Sequence, residues 1–422
     1  MSQKFVELVD GVRGLFVRNA RFKTTSLSFN IYLPLSEETV ADFALLPFIL
    51  TSCSKKYPDF SKLNYKLNKL YGASLSASTE KFGDYQLLRM GISVINDEYA
   101  LSEESLVNEA SSLMRKLIFE PNVENGEFLE CDVEREKRKA IEHIRGEVSE
   151  KRVYAKKRLI EEMYKGKPYG ISKCGTEEQV AAVTGKTIYT AWQKMLKSAF
   201  IQVQVIGAQV PERFFDDIKD AFSAIEREDI TDIKGTAGTS HRKNVKVVTD
   251  KMQVAQGKLV MGFSSTLYGD DDKSLPLMIA TDIFGGGPYS RLFTNVREKQ
   301  SLCYYCSAGS VRAKGLVTVE SGVEFANAEK AEKEILAQLD AVKNGEFSDF
   351  EFESSIKSIC DSLGSYDDSQ NSLDLWYALK AANSEIYSPE DIAEKIKAIT
   401  RKDVISAAKG IKLNTVYKLI GE

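Results

Sequence analysis

Apolar and polar residues change their period repeatedly along the chain, and each change marks a new element. In the first half, SLSFNIYL within residues 23–34 alternates with period two, as a strand does. A shorter strand is expected at residues 14–17. The spacing becomes helical over residues 37–53 and again over 61–70. Residues 70–95 then read as a turn and two strands. Helices are expected at 103–117, 127–164 and 176–197, and FIQVQVIG closes the half as a strand.

The second half repeats this order. VKVVTD and GKLVMGFSS are strand-like, and helices are expected at 274–284 and 290–299. Residues 302–323 read as two strands, and helices follow at 326–343, 348–383 and 389–410 before TVYKLIG. The two endings match at residue level. EEQVAAVTGKTIYTAW parallels EKIKAITRKDVISAAK, and VQVIG parallels YKLIG. Ser388 followed by Pro389 is a good helix start, because proline is pre-set for the first helical position. Between the halves, EREDITDIKGTAGTSHRKN has little apolar periodicity and reads as a linker. The expected organisation is a domain at 1–225, a linker at 226–244 and a second domain at 245–422. The expected fold class is α+β: two homologous domains, each a mostly antiparallel sheet with helices packed on one face. Two such domains facing each other would make a clam-like half chamber.

Composition narrows the function. The chain has 422 residues, 43% hydrophobic and 10% aromatic, enough for sizeable cores. A net charge of −4 argues against nucleic-acid binding, which favours a basic excess. Basic residues cluster at Arg135, Lys137, Arg138 and Lys139 and again at Lys156, Lys157 and Arg158. Glutamates interleave them at helical spacing, as on a solvated helix face. The longest apolar run, about ten residues around Phe43 to Leu50, is too short to span a bilayer. No signal peptide is read in the first residues. The expectation is a cytoplasmic protein with no membrane partner.

Six cysteines at irregular spacings fit reduced thiols. Cys303 and Cys306 form a lone C-x-x-C with no second pair for zinc. On a strand, residues three apart point to opposite faces, which argues against a joint redox or metal role.

The segment FGGGPYSRLFTNVREKQSLCYYCSAGS combines a glycine turn, a short helix and a strand, and carries Arg297 and Tyr304. Three glycines, Gly285 to Gly287, permit a tight turn between helices with positive φ. The run is not a nucleotide loop, since neither G-x-G-x-x-G nor a following Lys-Ser/Thr is present. Arg297 and Tyr304 also fit packing roles, the tyrosine in a core and the arginine in an ion pair with Glu298. The chain has two histidines, His143 and His241, and no histidine pair at helical spacing.

The element order and the run GGGPYSRLFTNVREKQSLCYY resemble the pitrilysin/insulinase family of zinc peptidases, most closely its mitochondrial-processing-peptidase-like branch. The resemblance rests on Gly285-Gly286-Gly287, Ser290-Arg291-Leu292, Arg297-Glu298-Lys299 and Leu302-Cys303-Tyr304. Catalytic members carry an inverted zinc motif, H-x-x-E-H, on the first long helix, with a distant glutamate as third ligand. Two histidines one turn apart grip the metal, and the glutamate between them is the general base. By register with that motif, Pro47, Leu50 and Thr51 stand where its histidine, glutamate and second histidine would be. None of the three can ligate zinc, so no metal is expected in this chain. VEREKRKAIEHIRGE resembles the helix of the distant glutamate, with His143 or Glu142 at its place.

What the resemblance retains is Arg297 and Tyr304, which in the family hold the substrate carbonyl and the developing oxyanion. It implies the non-zinc subunit of a heterodimer, with zinc in a homologous partner and an extended peptide as substrate. Residues 73–79 match the family's substrate-side strand, which implicates Ser76 and Ala77 in peptide binding; Ser76 stands where an asparagine is usual. Alternatives of a different class are a scaffold subunit, or a peptide-binding homodimer without chemistry.

Overall fold

The computed structural model describes residues 2–421 except 102, 104, 235, 270 and 384. Residue 104 of the expected 103–117 helix and residue 235 of the expected linker lie outside the described residues.

In chain order the first half comprises β1 (Ser2–Val9), β2 (Val12–Arg18), β3 (Thr24–Pro34), α1 (Val40–Leu50), α2 (Phe60–Lys69), β4 (Ser74–Phe82) and β5 (Tyr85–Ile95). Next come α3 (Leu106–Phe119), the short ribbon β6 (Val123–Glu124) and β7 (Glu127–Phe128), α4 (Glu130–Ser149) and α5 (Lys151–Met163). The half ends with α6 (Glu177–Ala181), α7 (Gly185–Ser198), β8 (Phe200–Gly207) and α8 (Phe214–Ser223). The second half begins with β9 (Lys246–Lys251), β10 (Gly257–Ser264), α9 (Leu275–Gly285), a π-helical segment Leu292–Lys299, β11 (Cys303–Val311) and β12 (Leu316–Val323). It continues with α10 (Ala328–Asn344), α11 (Asp349–Gly364), α12 (Gln370–Ala378), α13 (Pro389–Lys397), α14 (Arg401–Lys409) and β13 (Lys412–Ile420).

These elements form two compact units. One comprises residues 1–145, 171–235 and 367–382, and the other 146–170, 236–366 and 383–422. The first contains a six-stranded sheet, β1-β2-β8-β3-β5-β4, and the second a five-stranded sheet, β11-β12-β10-β13-β9. Apart from the extra edge strand β1, the two orders coincide when β4, β5, β3, β8 and β2 are matched to β11, β12, β10, β13 and β9. Pairing sense coincides too: every matched junction is antiparallel except the last, β8–β2 and β13–β9, which are parallel. Both sheets are therefore mixed but mostly antiparallel, and the internal duplication is borne out.

Matching chemistry starts matching helices. Thr184 before α7 and Thr400 before α14 are both N-caps with reciprocal capping boxes. Each lies in the aligned sequences TGKTI and TRKDV. Ser388 caps α13 in the same way, with Pro389 at its first turn.

In the first unit Leu27, Phe29, Ile31 and Leu33 of β3 and Ile201, Val203 and Val205 of β8 face the main core, with α1, α3 and α7. The alternate residues are polar, and sequence alone leaves that face to solvent. Instead Ser28, Asn30, Gln202 and Gln204 are all buried. The cover is α12, whose Asp374 accepts hydrogen bonds from Ser28 Oγ and Arg89 Nη2. The second unit uses α5 in the same way, packing Ala155 and Leu159 on Val260, Tyr417 and Leu419.

Both covering helices correct the sequence reading, which ran residues 127–164 and 348–383 as single helices. The first breaks between Ser149 and Lys151, where the Glu150 side chain accepts from Arg152 N and caps α5. The second breaks at a 3₁₀ turn, Ser365–Asp368, and Ser369 caps α12. Helical periodicity runs on through both breaks, so it does not reveal them. The elements not anticipated are β1, the β6–β7 ribbon, whose second strand falls in the expected 127–164 helix, and α8. The signal for α8 was present, because Phe214, Ile218 and Phe222 recur every four residues and are buried.

Candidate functional site

Arg297 sits on the π-helical segment and Tyr304 on β11, the edge strand of the second unit's sheet. Between them Ser301 adopts a positive φ of 52°, turning the chain sharply from helix into strand. The surrounding motif residues hold the segment in place. Ser290 and Leu292 are buried, while Arg291 Nε donates to Gln338 Oε1 at 2.9 Å and its guanidinium faces Glu351. Gly285 ends α9 against β11, where a Cβ would lie 2.5 Å from Ala308 N. Positive φ is not the reason for these glycines: Gly286 has φ −79° and closes α9 as its C-cap. A Cβ on Gly286 would strike the Asp282 carboxylate. Close approach, rather than a left-handed backbone, selects glycine here.

The two candidate side chains stand out from this packed base. Tyr304 is 59% exposed, so the core role is excluded, and its hydroxyl donates to Glu324 Oε1 at 3.4 Å. Arg297 does make the ion pair with Glu298, at 3.5 Å, and its guanidinium lies over the Phe293 ring. The arrangement presents one guanidinium and one phenol, both hydrogen-bond donors, from adjacent elements of one unit.

A register shift between Cys303 and Tyr305 corrects the expectation for the C-x-x-C. The bulge places Tyr304 out of alternation, and both cysteines are buried. Their thiols meet. A hydrogen bond from Cys306 holds the Cys303 thiol below its ordinary range, with Arg297 a smaller influence, and the same bond together with burial pushes Cys306 well up.

In the first unit, α1, α4 and β4 enclose a cavity of about 360 Å³. Its walls include Ala44, Leu45 and Phe48 from α1, Ser78, Thr79 and Glu80 from β4, and Glu136 and His143 from α4. Pro47, Leu50 and Thr51 are not among the lining residues. Pro47 and Leu50 are buried, and Thr51 lies past the helix end with its hydroxyl bonded to Pro47 O at 2.8 Å. The positions of α1 one turn apart that face the same cavity as Glu136 and His143 are Ala44 and Phe48.

These walls do not fit zinc, which needs three or four nitrogen, sulfur or carboxylate donors. Ala44 and Phe48 offer none, and the Glu136 carboxylate is already held by Arg135 Nε at 2.9 Å and Lys139 Nζ at 3.0 Å. Among the described residues no group of three or more His, Cys, Asp or Glu side chains is arranged for a metal ion. His241 lies in the second unit, where its Nδ1 is 3.5 Å from Ser264 Oγ. Ser76 and Ala77 lie on β4, the edge strand of the first unit's sheet and the counterpart of β11. Ser76 is exposed and Ala77 half-buried. The basic clusters are paired locally, as in Arg135–Asp132, Lys137–Glu134 and Arg158–Glu161. Among the described residues no helix is long and apolar enough to cross a membrane.

Comparison with known proteins agrees with this geometry. A family described as "Peptidase M16 inactive domain" matches residues 182–359. A relative in Bacillus subtilis named "Probable inactive metalloprotease YmfF" is 31% identical over 97% of this chain and 96% of its own. A second protein of that organism, "Uncharacterized zinc protease YmxG", is 21% identical over 77% of this chain and 79% of its own. Among solved structures, a conserved protein from Enterococcus faecalis superposes with a TM-score of 0.91 at 26% identity, over 100% of this chain and 99% of that one. A peptidase M16 inactive domain from Pseudomonas fluorescens shares the fold with a TM-score of 0.77 at 14% identity, over 100% and 98% of the two chains.

Proposed function

The chain belongs to the M16 (pitrilysin/insulinase) peptidase family as an inactive homologue, and from that premise we propose that it is the non-zinc subunit of a heterodimeric zinc peptidase. In this reading Arg297 and Tyr304 complete a partner's active site. The zinc, its bound water and the general base belong to the partner. This chain's guanidinium and phenol bind the substrate carbonyl and stabilise the oxyanion that grows on it, where fixed donors have their largest effect.

The observation that carries the reading is an asymmetry within one chain. Two donors stand exposed on the second unit, while the first unit's cavity has alanine and phenylalanine where a metal would need ligands. A relative named as an uncharacterized zinc protease and one named as a probable inactive metalloprotease both belong to Bacillus subtilis, which supports a pairing of the two kinds. Substrates are extended peptides or unfolded segments, which gain main-chain hydrogen bonds by adding to the β4 edge at Ser76 and Ala77.

The test is co-expression with a homologue carrying H-x-x-E-H, followed by peptide turnover. Arg297→Ala and Tyr304→Phe are each expected to lower kcat on the order of 100-fold in a complex that still elutes intact. Unchanged turnover by the intact complex overturns the proposal.

A further inference from the structure

Cys303 and Cys306 stand three apart in sequence, yet the ladder puts them on one face of β11. Cys303 pairs with Val323 and Cys306 with Ser321, and those two residues of β12 are two apart. Residues two apart on a strand share a face, and so do residues directly opposite each other on paired strands. The register shift between Cys303 and Tyr305 supplies the extra residue, so Tyr304 is carried at the bulge between the two thiols.

The shared face is closed around the sulfurs. Cys306, Ser321 and Val323 are almost fully buried, while Cys303 keeps 9% of its surface in solvent, within reach of a small solute. The two thiols lie within hydrogen-bonding reach of each other. Ser321 Oγ is buried beside both, and among the described residues it has no oxygen or nitrogen partner. The bond from Cys306 and the nearby Arg297 guanidinium favour negative charge on Cys303, the form that attacks an oxidant. Cys306 stays protonated beside it, placed as the resolving thiol.

We propose that Cys303 and Cys306 are a reversible redox pair, closed to a disulfide by hydrogen peroxide, and that closure resets the bulge carrying Tyr304. The Cys303 thiolate attacks one peroxide oxygen, and the O–O bond breaks. The departing hydroxide takes the proton that Cys303 gave up and leaves as water. Cys303 is then a sulfenic acid. The Cys306 sulfur attacks the Cys303 sulfur, releases its proton and expels the sulfenic hydroxyl as a second water. The two thiols lose two electrons in all, and the peroxide gains them. Neighbours on one strand face are about 6.6–6.8 Å apart along the chain, at the upper end of the usual Cα separation across a disulfide, about 4.4–6.8 Å. Closing the bond therefore tightens β11 at the bulge and re-aims Tyr304.

Peptide mass mapping of the full chain after treatment with hydrogen peroxide tests this. Trypsin cuts after Lys299 and Arg312, so one peptide holds both cysteines. In folded chain alkylated after treatment, that peptide is expected to be two hydrogens lighter than the dithiol and to carry no alkyl group. Dithiothreitol is expected to restore both thiols. Cys306→Ser is expected to stop at a sulfenic acid on Cys303, captured by dimedone, with thermal melts confirming that the variant folds. Amide exchange in β11 around Tyr304 is expected to change when the wild-type pair closes. A disulfide that forms only after unfolding in urea overturns the proposal, as does oxidation of Cys303 to a sulfinic acid in place of the disulfide. A disulfide that leaves exchange in β11 unchanged overturns the resetting of the bulge. Neither readout uses a partner subunit, so oxyanion donation is judged separately by turnover of the complex.

Discussion

The guanidinium carbon of Arg297 lies 4.6 Å from the centroid of the Phe293 ring, four residues earlier on the same π-helical segment. The ring gives one face of the guanidinium a fixed platform, while Glu298 meets it at 3.5 Å. A cation over an aromatic face contributes roughly 0.5–1 kcal/mol at exposed sites. Phe293→Leu is therefore expected to change stability by about 1 kcal/mol or less and to let the guanidinium wander. In the proposed heterodimer its cost should fall mainly on kcat, because the proposed donor loses its aim rather than its charge. Kinetics of the complex check this, and a change confined to KM contradicts it.

Arg89 and Asp374 form a pair at 2.5 Å whose side chains are 11% and 6% exposed. Asp374 is one of several contacts through which α12 joins the polar face of the first unit's sheet, beside Tyr377 O accepting from Gln202 Nε2 and Ala378 O accepting from Tyr32 Oη. Asp374→Ala leaves Arg89 charged and buried with its partner gone, a loss of about 3–5 kcal/mol. Replacing both, Arg89→Met with Asp374→Leu, is expected to recover most of that. Urea denaturation of the two variants decides it. A double variant no better than the single one would mean that the network, not the orphaned charge, sets the cost.

Acid should loosen α5 first in the second unit. Burial works to raise the Glu320 carboxyl, but Lys156 and Arg152 outweigh it and hold the group below its ordinary value. Asp250, beside Arg158 and Tyr417, is also held low against the pull of burial. For a depressed carboxyl the stabilisation is in full above the unfolded value, near pH 4, and is lost as pH falls through the lower folded value. Hydrogen exchange across Lys151–Met163 is expected to accelerate below about pH 4, and Glu320→Gln to flatten that dependence. Exchange that rises instead toward high pH, beyond the intrinsic chemical rate, would contradict the sign.

Thiol chemistry should rank the cysteines by environment. Cys131 is exposed, whereas Cys53 is buried beside Asp132, which together push its thiol up to about 12. Cys306 is also raised well above its ordinary range. Thiolate is the reactive form, so iodoacetamide near pH 8 is expected to label Cys131 quickly and Cys53 and Cys306 last in the folded chain. Peptide mass mapping over time reads the order directly.

Much of this fold is legible in the residues, for identifiable reasons. Alternation gave β3 and β8, and the repeated order of elements with its matching endings exposed the duplication. What stayed hidden depended on contacts distant in sequence. The polar side of β3 looks solvated until α12, more than 300 residues later, is laid on it. The helix α1, VADFALLPFIL, is apolar at nearly every position and has no periodicity to show which side faces α4. That is why Ala44 and Phe48 emerge only from the structure. Arg297 and Tyr304 were legible because their motif is local, lying within a single helix-to-strand turn.

The paired caps supply the sharpest test of the duplication. Thr184 Oγ1 accepts from Thr187 N at 3.2 Å, and Thr400 Oγ1 accepts from Asp403 N at 3.4 Å. Each begins the helix that precedes a central strand, β8 in one unit and β13 in the other. The box is stronger at Thr400, because Asp403 brings a carboxylate to the helix N-terminus, where negative charge is favoured. Thr184→Ala and Thr400→Ala are each expected to cost about 0.5–2 kcal/mol, with Thr400 the more expensive. Hydrogen exchange separates the two effects, since each loss should speed exchange in its own helix and leave the other unit's helix unchanged. Coupled losses in both helices would mean that the units do not open independently.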